Sequence, residues 1–311
     1  MALVSVIIPN YNHAQFLKDR LESVLGQIYQ NIEVIILDDA STDGSLQIID
    51  EYTHHPKVTF TVKNEINSGS TFVQWNKGIQ LAKGKYIWIA ESDDYSEPGF
   101  LEKCVAALEK DESLSLAFCD TVAVDSTGEK LSYSKNGKPE GRYNAIDDKF
   151  FYYWFFLNDR FRILNASSCV FRKSCVDEKT MGECTQFKFA GDKYFWFDLL
   201  SKHPFFFYIS DPLNYQRFHN NTTRAQHGIM PEYLRNLELT RIYDRYKKKG
   251  LFLDRQSYRE IGKRMFAVNF HAIFLWKLPN VIHLIRGFCM VGLDIKYYKK
   301  ILRTVLRGNG K

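Results

Sequence analysis

Three stretches of this chain, Leu3 to Ile8, Ile32 to Leu37 and Tyr86 to Ile89, are apolar runs rich in β-branched and aromatic side chains, broken only by Ser5 and Glu33. A strand apolar on both faces has to be covered on both, which is the condition of a parallel sheet lying between helices. Val58 to Val62 alternates more. Between the runs lie segments of helical period: Leu17, Leu21, Val24 and Leu25 fall on one face, as do Leu101, Cys104, Val105 and Leu108. Ser96 and Pro98 supply a cap and a first turn for the second of these. Strand and helix thus alternate at least four times within residues 1–110. That predicts an α/β fold with an open sheet and right-handed crossovers. Ligands of such sheets bind beyond the carboxyl ends of the strands, so the informative residues are those just after each run.

From Leu114 the pattern changes to mixed strands, a Gly/Lys/Ser-rich loop around Asp125 to Arg142 and an aromatic block from Phe150 to Phe156. Beyond Asn221 the strand signals fade, while Tyr233 to Lys249 and Gln256 to Trp276 read as helices. The expected division is one domain over residues 1–220 and a helical, basic region over 221–311. The chain carries 42 Lys and Arg against 36 Asp and Glu, a net of +6. Residues 221–311 hold 19 basic and 6 acidic residues, net +13, and the remainder holds 23 and 30, net −7. The small overall charge is a cancellation between an acidic body and a basic C-terminal region.

Several classes are disfavoured. The six cysteines form no CxxC pair, so neither a zinc knuckle nor a disulfide framework is indicated and reduced, cytoplasmic thiols are expected. The N-terminus reads as a strand instead of a secretory leader. No run reaches the roughly 18 apolar residues of a spanning helix; the nearest, Val281 to Leu293, is cut by His283 and Arg286. Neither GxGxxG nor GxxxxGK[ST] follows the first run, which counts against hydride transfer and ATP hydrolysis.

What does follow the runs is acidic: Pro9-Asn-Tyr-Asn12 after the first, Asp38-Asp-Ala-Ser-Thr-Asp-Gly44 after the second, Glu91-Ser-Asp-Asp94 after Tyr86 to Ile89. Carboxylates gathered at one sheet edge repel one another unless a cation or a donor-rich ligand sits among them. The competing readings are an Asx turn for Asp38-Asp39 and a solvated turn for Asp93-Asp94.

Taken in order, Val4 to Asn12, Leu37 to Gly44, Asn67-Ser-Gly69, Trp75-Asn76, Ala82 to Tyr86 and Glu91 to Asp94 resemble the family 2 glycosyltransferases, inverting nucleotide-sugar enzymes of the GT-A fold. The resemblance implies a Rossmann-like, mixed and mostly parallel sheet flanked by helices. It assigns Pro9, Tyr11, Asp39, Asn67, Asn76, Asp93 and Arg217 to the donor. Tyr11 and Pro9 would line the base pocket, where a ring stacks on a nucleobase. Asp39 would accept from the imide N–H of uracil, which favours a UDP-sugar. Asp94 would ligate Mn²⁺ or Mg²⁺, with Asp93 toward the ribose, because hard divalent cations prefer carboxylate and phosphate oxygens. Asp192, in Ala190 to Trp196, would be the catalytic base; many relatives carry Glu-Asp where this chain has Gly191-Asp192. Arg217 and His219, in Asn214 to Thr222, resemble the closing Arg-x-His element, His219 contacting diphosphate or completing the metal shell. Either could equally belong to a mobile surface loop. Trp75 stands where many relatives carry Arg, so a phosphate contact is lost there or replaced by stacking.

The acceptor, a glycan or lipid-linked glycan, is expected to be read by residues 140–190, where Trp154, Arg160, Arg162, Asn165 and Ser167-Ser168 offer stacking and hydrogen-bonding groups. The aromatic block itself fits core packing better. Lys247 to Lys249, Lys263-Arg264 and Lys296 to Lys300, interleaved with apolar residues, suit an anionic membrane surface on the cytoplasmic face, or helices packed on the catalytic domain with solvated charges. No nucleic-acid module is visible. Two other classes fit the same strand ends: a nucleotide-sugar-binding partner without turnover, and a nucleotidyltransferase.

Overall fold

Strand β1 (Val4–Asn10) is the axis of the site-bearing half of the sheet, paired in parallel with β2 (Ile32–Asp38) on one side and β4 (Tyr86–Ile89) on the other. All seven residues of β1 and of β2 are buried, as the apolar runs require. In this computed structural model the described residues are 1–134, 136–147, 163–219 and 229–250, with isolated positions at 259, 262, 263, 266, 267, 270, 298 and 299. The aromatic block with Trp154, and Arg160 and Arg162, lie outside them, as does most of the basic C-terminal sequence.

The sheet runs β3-β2-β1-β4-β9-β6-β10-β5, with β3 Val58–Lys63, β5 Tyr95–Ser96, β6 Leu116–Val124, β9 Cys169–Arg172 and β10 Phe205–Arg217. β7 (Lys130–Ser134) pairs with β6, and β8 (Gly141–Asn144) with β10. The pairs β3/β2, β2/β1, β1/β4 and β6/β10 are parallel; β9 lies antiparallel between β4 and β6. The chain first builds outward from β1 to β2 and β3, then returns to place β4 on the other side of β1. That reversal is the switch point at which open α/β sheets bind ligands.

Helices α1 (Ala14–Leu25), α2 (Ser45–Tyr52), α3 (Thr71–Leu81) and α4 (Phe100–Lys110) connect these strands, and α5 (Glu178–Cys184) and α6 (Gly191–Lys202) precede β10. α1 and α4 bury the face their period marks: Leu17, Leu21 and Val24 of α1 and Leu101, Cys104, Val105 and Leu108 of α4 enter one core with Val4, Val6, Val34, Ile36 and Trp88. Gly78 lets α3 lie against β1, because a Cβ there would stand 2.4 Å from Ile7.

The chain divides into two compact units, Met1–Trp154 with Asn158–Thr222, and Phe155–Leu157 with Thr223–Lys311. In the second, α7 (Ile229–Lys248) buries Leu239, Ile242, Tyr243 and Tyr246 at helical spacing while Lys248 is exposed. Among the described residues, no helix is long and apolar enough to cross a membrane.

Candidate active site

The turns at the ends of the first two strands are held by the two carboxylates at the end of β2. Asp38 is fully buried and accepts from the Asn10 amide at 2.8 Å and from the Ser41 N–H and hydroxyl at 2.9 and 2.6 Å. Its side chain holds the turn, as the Asx-turn reading expects. Asp39, 5% exposed, collects donors from the other direction. Oδ1 accepts from Asn64 at 2.8 Å, the Ser68 N–H at 2.9 Å and Gln74 at 2.8 Å, and Oδ2 accepts from the Ser68 hydroxyl at 2.7 Å. A carboxylate offers about four lone-pair sites, two on each oxygen, so Oδ2 keeps room for one more donor. Asn67 is drawn into the same loop: it donates to the Asp39 carbonyl at 2.9 Å and accepts from the Gly69 N–H, where φ is +71°. Ala40 (φ 61°) and Asn12 (φ 55°) take left-handed backbone at these two strand ends. For alanine that costs on the order of 1 kcal/mol or more, the kind of strain that collects at binding sites. Tyr11, just beyond β1, is 46% exposed, while Pro9 is buried within the strand. Asn76 is half-buried on α3.

After β4 the turn Glu91 to Asp94 separates its carboxylates by role. Asp94, expected as the metal ligand, is 3% exposed with both oxygens engaged: Oδ1 by the Arg217 N–H at 3.0 Å, Oδ2 by the Ser167 hydroxyl at 2.7 Å and the Asn165 amide. Burial, then the neighbouring Asp93 charge, push its carboxyl up from the ordinary range. Asn165 and Ser167, expected to face an acceptor, are bonded to this turn, and Asn165 also accepts from Asn214 at 3.0 Å. Asp93 is the carboxylate that meets an imidazole: its Oδ2 is 3.1 Å from His219 Nε2. Burial opposes its ionisation, but the His219 hydrogen bond and the His13 and His219 charges outweigh burial and hold it below the ordinary value.

Arg217 was expected at the diphosphate, yet its guanidinium is 5% exposed and committed to protein. It donates to the Asp93 carbonyl at 3.1 Å, the Ser126 carbonyl at 3.3 Å and Asp19 at 2.9 Å. It also lies over the Phe16 and Tyr95 rings, with centroids 4.8 and 5.2 Å away. A side chain so bound fixes the acid turn to β10. Three of its five N–H donors are thereby used within the protein.

Three residues outside the sequence-derived set complete the site. Arg20, on the buried face of α1, is fully enclosed below the acid turn, donating to the Glu91 carbonyl at 2.8 Å and Ser96 at 3.2 Å over the Trp88 ring. Its burial pulls the guanidinium down to about 10, against the attraction of Asp94, Asp93 and Glu91. Its signal in the sequence was a charge interrupting the Leu17, Leu21, Val24 stripe. Glu91 accepts from Trp75 Nε1 at 2.9 Å, and burial followed by the Asp93 and Asp94 charges pushes it up to about 8. His13 sits beside Asp93 and His219, its Nδ1 2.8 Å from the Ser92 hydroxyl. Burial lowers its pKa.

Trp75 is 2% exposed, its ring edge-on to Phe72 and Phe195 at centroid distances of 5.2 and 5.8 Å. The position thus provides a support for Glu91. Asp192 lies in the first turn of α6, half-buried, and its Oδ1 is buried without a hydrogen-bond partner. Gly191 before it brings α6 against Phe72: a Cβ there would stand 2.6 Å from that ring. The space a neighbouring acid would need is filled by an aromatic side chain.

An α/β sheet with this order, carrying carboxylates and imidazoles at its switch point, has the GT-A-like architecture of nucleotide-sugar transferases. The fold matches that of Staphylococcus aureus TarS 1-349 solved with UDP-GlcNAc, at a TM-score of 0.60 and 18% identity over 99% of this chain and 92% of that one. It also matches the mannosyltransferase PcManGT of Pyrobaculum calidifontis solved with GDP-Man and Mn²⁺, at 0.52 and 15% over 97% and 84%. The sequence profile of glycosyl transferase family 2 matches residues 5–177, and the chain belongs to that family. It is 36% identical over 135 residues to the chondroitin synthase of Escherichia coli, covering 43% of this chain and 19% of that protein. It is 40% identical over 100 residues to glycosyltransferase GlyG of Streptococcus pneumoniae, covering 32% and 33%. The chain therefore spans a third or less of the length of these two relatives.

Proposed function

We propose that the chain transfers one sugar from a UDP-sugar to a hydroxyl of a cell-surface glycan, with inversion at the anomeric carbon. The observation that carries this reading is Asp192: a carboxylate oxygen buried without a partner at the start of α6, in the element the family uses for its base. The acceptor oxygen attacks C1, the bond from C1 to the diphosphate oxygen breaks, and the acceptor proton passes to Asp192. Oδ2 of Asp39 takes the imide N–H of uracil, and Tyr11 offers its exposed ring to the base. Support for a glycan acceptor comes from the relative named as a chondroitin synthase.

The acid turn fits a divalent cation, with a different ligand from the one first expected. Asp93 and His219 present an oxygen and a nitrogen 3.1 Å apart, about the spacing of adjacent ligands on an octahedral ion with bonds near 2.1–2.2 Å. Asp94 supports the turn from behind. Bound there, Mn²⁺ or Mg²⁺ supplies positive charge against the departing nucleoside diphosphate. The basic C-terminal region is proposed to hold the enzyme at an anionic membrane beside a lipid-linked acceptor. Deleting residues 250–311 is then expected to abolish co-sedimentation with phosphatidylserine vesicles, and unchanged sedimentation refutes that role.

The test of the enzyme is Asp192→Asn, assayed for transfer and donor hydrolysis across a panel of nucleotide sugars with Mn²⁺. The expected result is a loss of about a thousandfold or more in turnover, with UDP binding unchanged. An active variant removes Asp192 from the chemistry. No turnover by the wild type with any donor favours a binding partner, and released pyrophosphate identifies a nucleotidyltransferase.

A further inference from the structure

We infer that His13 is a third protein ligand at the acid turn, making a site of two imidazoles and one carboxylate that takes Co²⁺ and Mn²⁺ ahead of Mg²⁺. The inference rests on the metal reading of Asp93 and His219 given above and extends it to a residue of the first strand's loop.

Three segments distant in sequence converge here: His13 immediately before α1, Asp93 after β4 and His219 after β10. One ligand atom from each lies within 4.8 Å of the others, and all three residues are half-buried. The two imidazoles meet edge to face, centroids 5.3 Å apart at 89°, and Phe16 backs His219 at 4.5 Å. Rings so packed hold their nitrogens in place before any ion arrives.

The Ser92 hydroxyl supplies the second argument. It is 1% exposed and 2.8 Å from His13 Nδ1, so that nitrogen is already committed. Nε2 is left as the ligating atom. A histidine whose far nitrogen is tied to a hydroxyl or carbonyl has its tautomer and ring orientation fixed for coordination. Arg217 fixes the third partner, through its bond to the Asp93 carbonyl at 3.1 Å.

The donor set decides which ion is preferred. Mg²⁺ demands oxygen ligands and keeps several waters, whereas imidazole suits transition metals. Replacing one oxygen donor by a second imidazole therefore moves the preference toward Mn²⁺, and further toward Co²⁺ along the Irving–Williams order.

The experiment uses the full chain and its thermal stability in MgCl₂, MnCl₂ and CoCl₂ titrations, with and without UDP, for wild type, His13→Ala and His13→Gln. Melting in EDTA within a few degrees of wild type establishes that a variant is folded; should alanine fail this, glutamine carries the test. In the wild type, half-saturation by Mn²⁺ is expected at about a tenth of the Mg²⁺ concentration or below. His13→Ala is expected to raise the Mn²⁺ value by about tenfold or more while changing Mg²⁺ by less than about threefold. His13→Gln, which offers an oxygen, is expected to narrow the gap between the two ions. Pulsed EPR of bound Mn²⁺ is expected to show two coordinated imidazole nitrogens in the wild type and one in His13→Gln. Wild-type selectivity in both variants, or one imidazole in the wild type, overturns the role of His13 alone. No divalent ion bound by the wild type under either condition overturns the metal reading of Asp93 and His219 as well.

Discussion

Gly191 of α6 approaches Phe72 of α3 so closely that a Cβ on it would stand 2.6 Å from the phenyl ring. The ring is 5% exposed and packs edge-on against Trp75, so it has little room to yield. Gly191→Ala is expected to cost about 1–3 kcal/mol by overpacking and to shift Asp192, lowering kcat more than UDP affinity. Adding Phe72→Leu is expected to recover part of both losses, a coupling that urea melts and steady-state kinetics on the double variant would read. Additive effects would show that the contact does not place Asp192.

Trp75 gives Glu91 its one side-chain donor among the described contacts, at 2.9 Å. Trp75→Phe keeps an aromatic ring but leaves that carboxyl without the indole and opens space beside Phe195. The expected cost is about 2 kcal/mol or more in urea unfolding at pH 7. A change below about 0.5 kcal/mol would mean the bond carries no weight.

Asp39 gathers four donors, from Asn64, Ser68 and Gln74. Asp39→Asn keeps the shape but turns one acceptor into a donor facing donors. Stability is expected to fall by roughly 2 kcal/mol, and UDP affinity measured calorimetrically by about tenfold or more. Unchanged affinity would detach Asp39 from the base pocket.

Asp177 caps α5, accepting from the Thr180 N–H at 2.7 Å and from Lys202 at 2.8 Å. The Lys202 hydrogen bond, then those of Thr180, hold its carboxyl well below the usual range. A depressed carboxylate stabilises the fold above its unfolded pKa, and that contribution is lost as pH falls toward the native value. The group is half exposed, so Asp177→Ala is expected to cost only about 1 kcal/mol at pH 7. The gap in melting temperature between wild type and variant is expected to close progressively below about pH 5. A gap that widens on acidification would refute the linkage.

The sheet was legible because its strands are apolar at most positions on both faces, a pattern broken only by Ser5 in Val4 to Ile8 and by Glu33 in Ile32 to Leu37. The place of Asp39 at the sheet edge was legible for a related reason, since it follows such a strand directly. Which of Asp93 and Asp94 faces outward was not. That choice is made by Asn165, Ser167 and Arg217, whose bonds close across 71, 73 and 123 positions of sequence. The partners of Arg217 were hidden in the same way, because Asp19 and Ser126 are brought to it only by the fold. His13 carried no periodic signal at all, lying in a loop before α1.

The anchoring of Arg217 also limits how this site can open. With its N–H on Asp94 and its guanidinium on Asp93, Ser126 and Asp19, the end of β10 is a fixed mooring. His219 follows two residues later, and two residues of extended chain reach roughly 7 Å at most. The imidazole thus rides on a short leash: while the mooring holds, its backbone stays within that reach of Arg217.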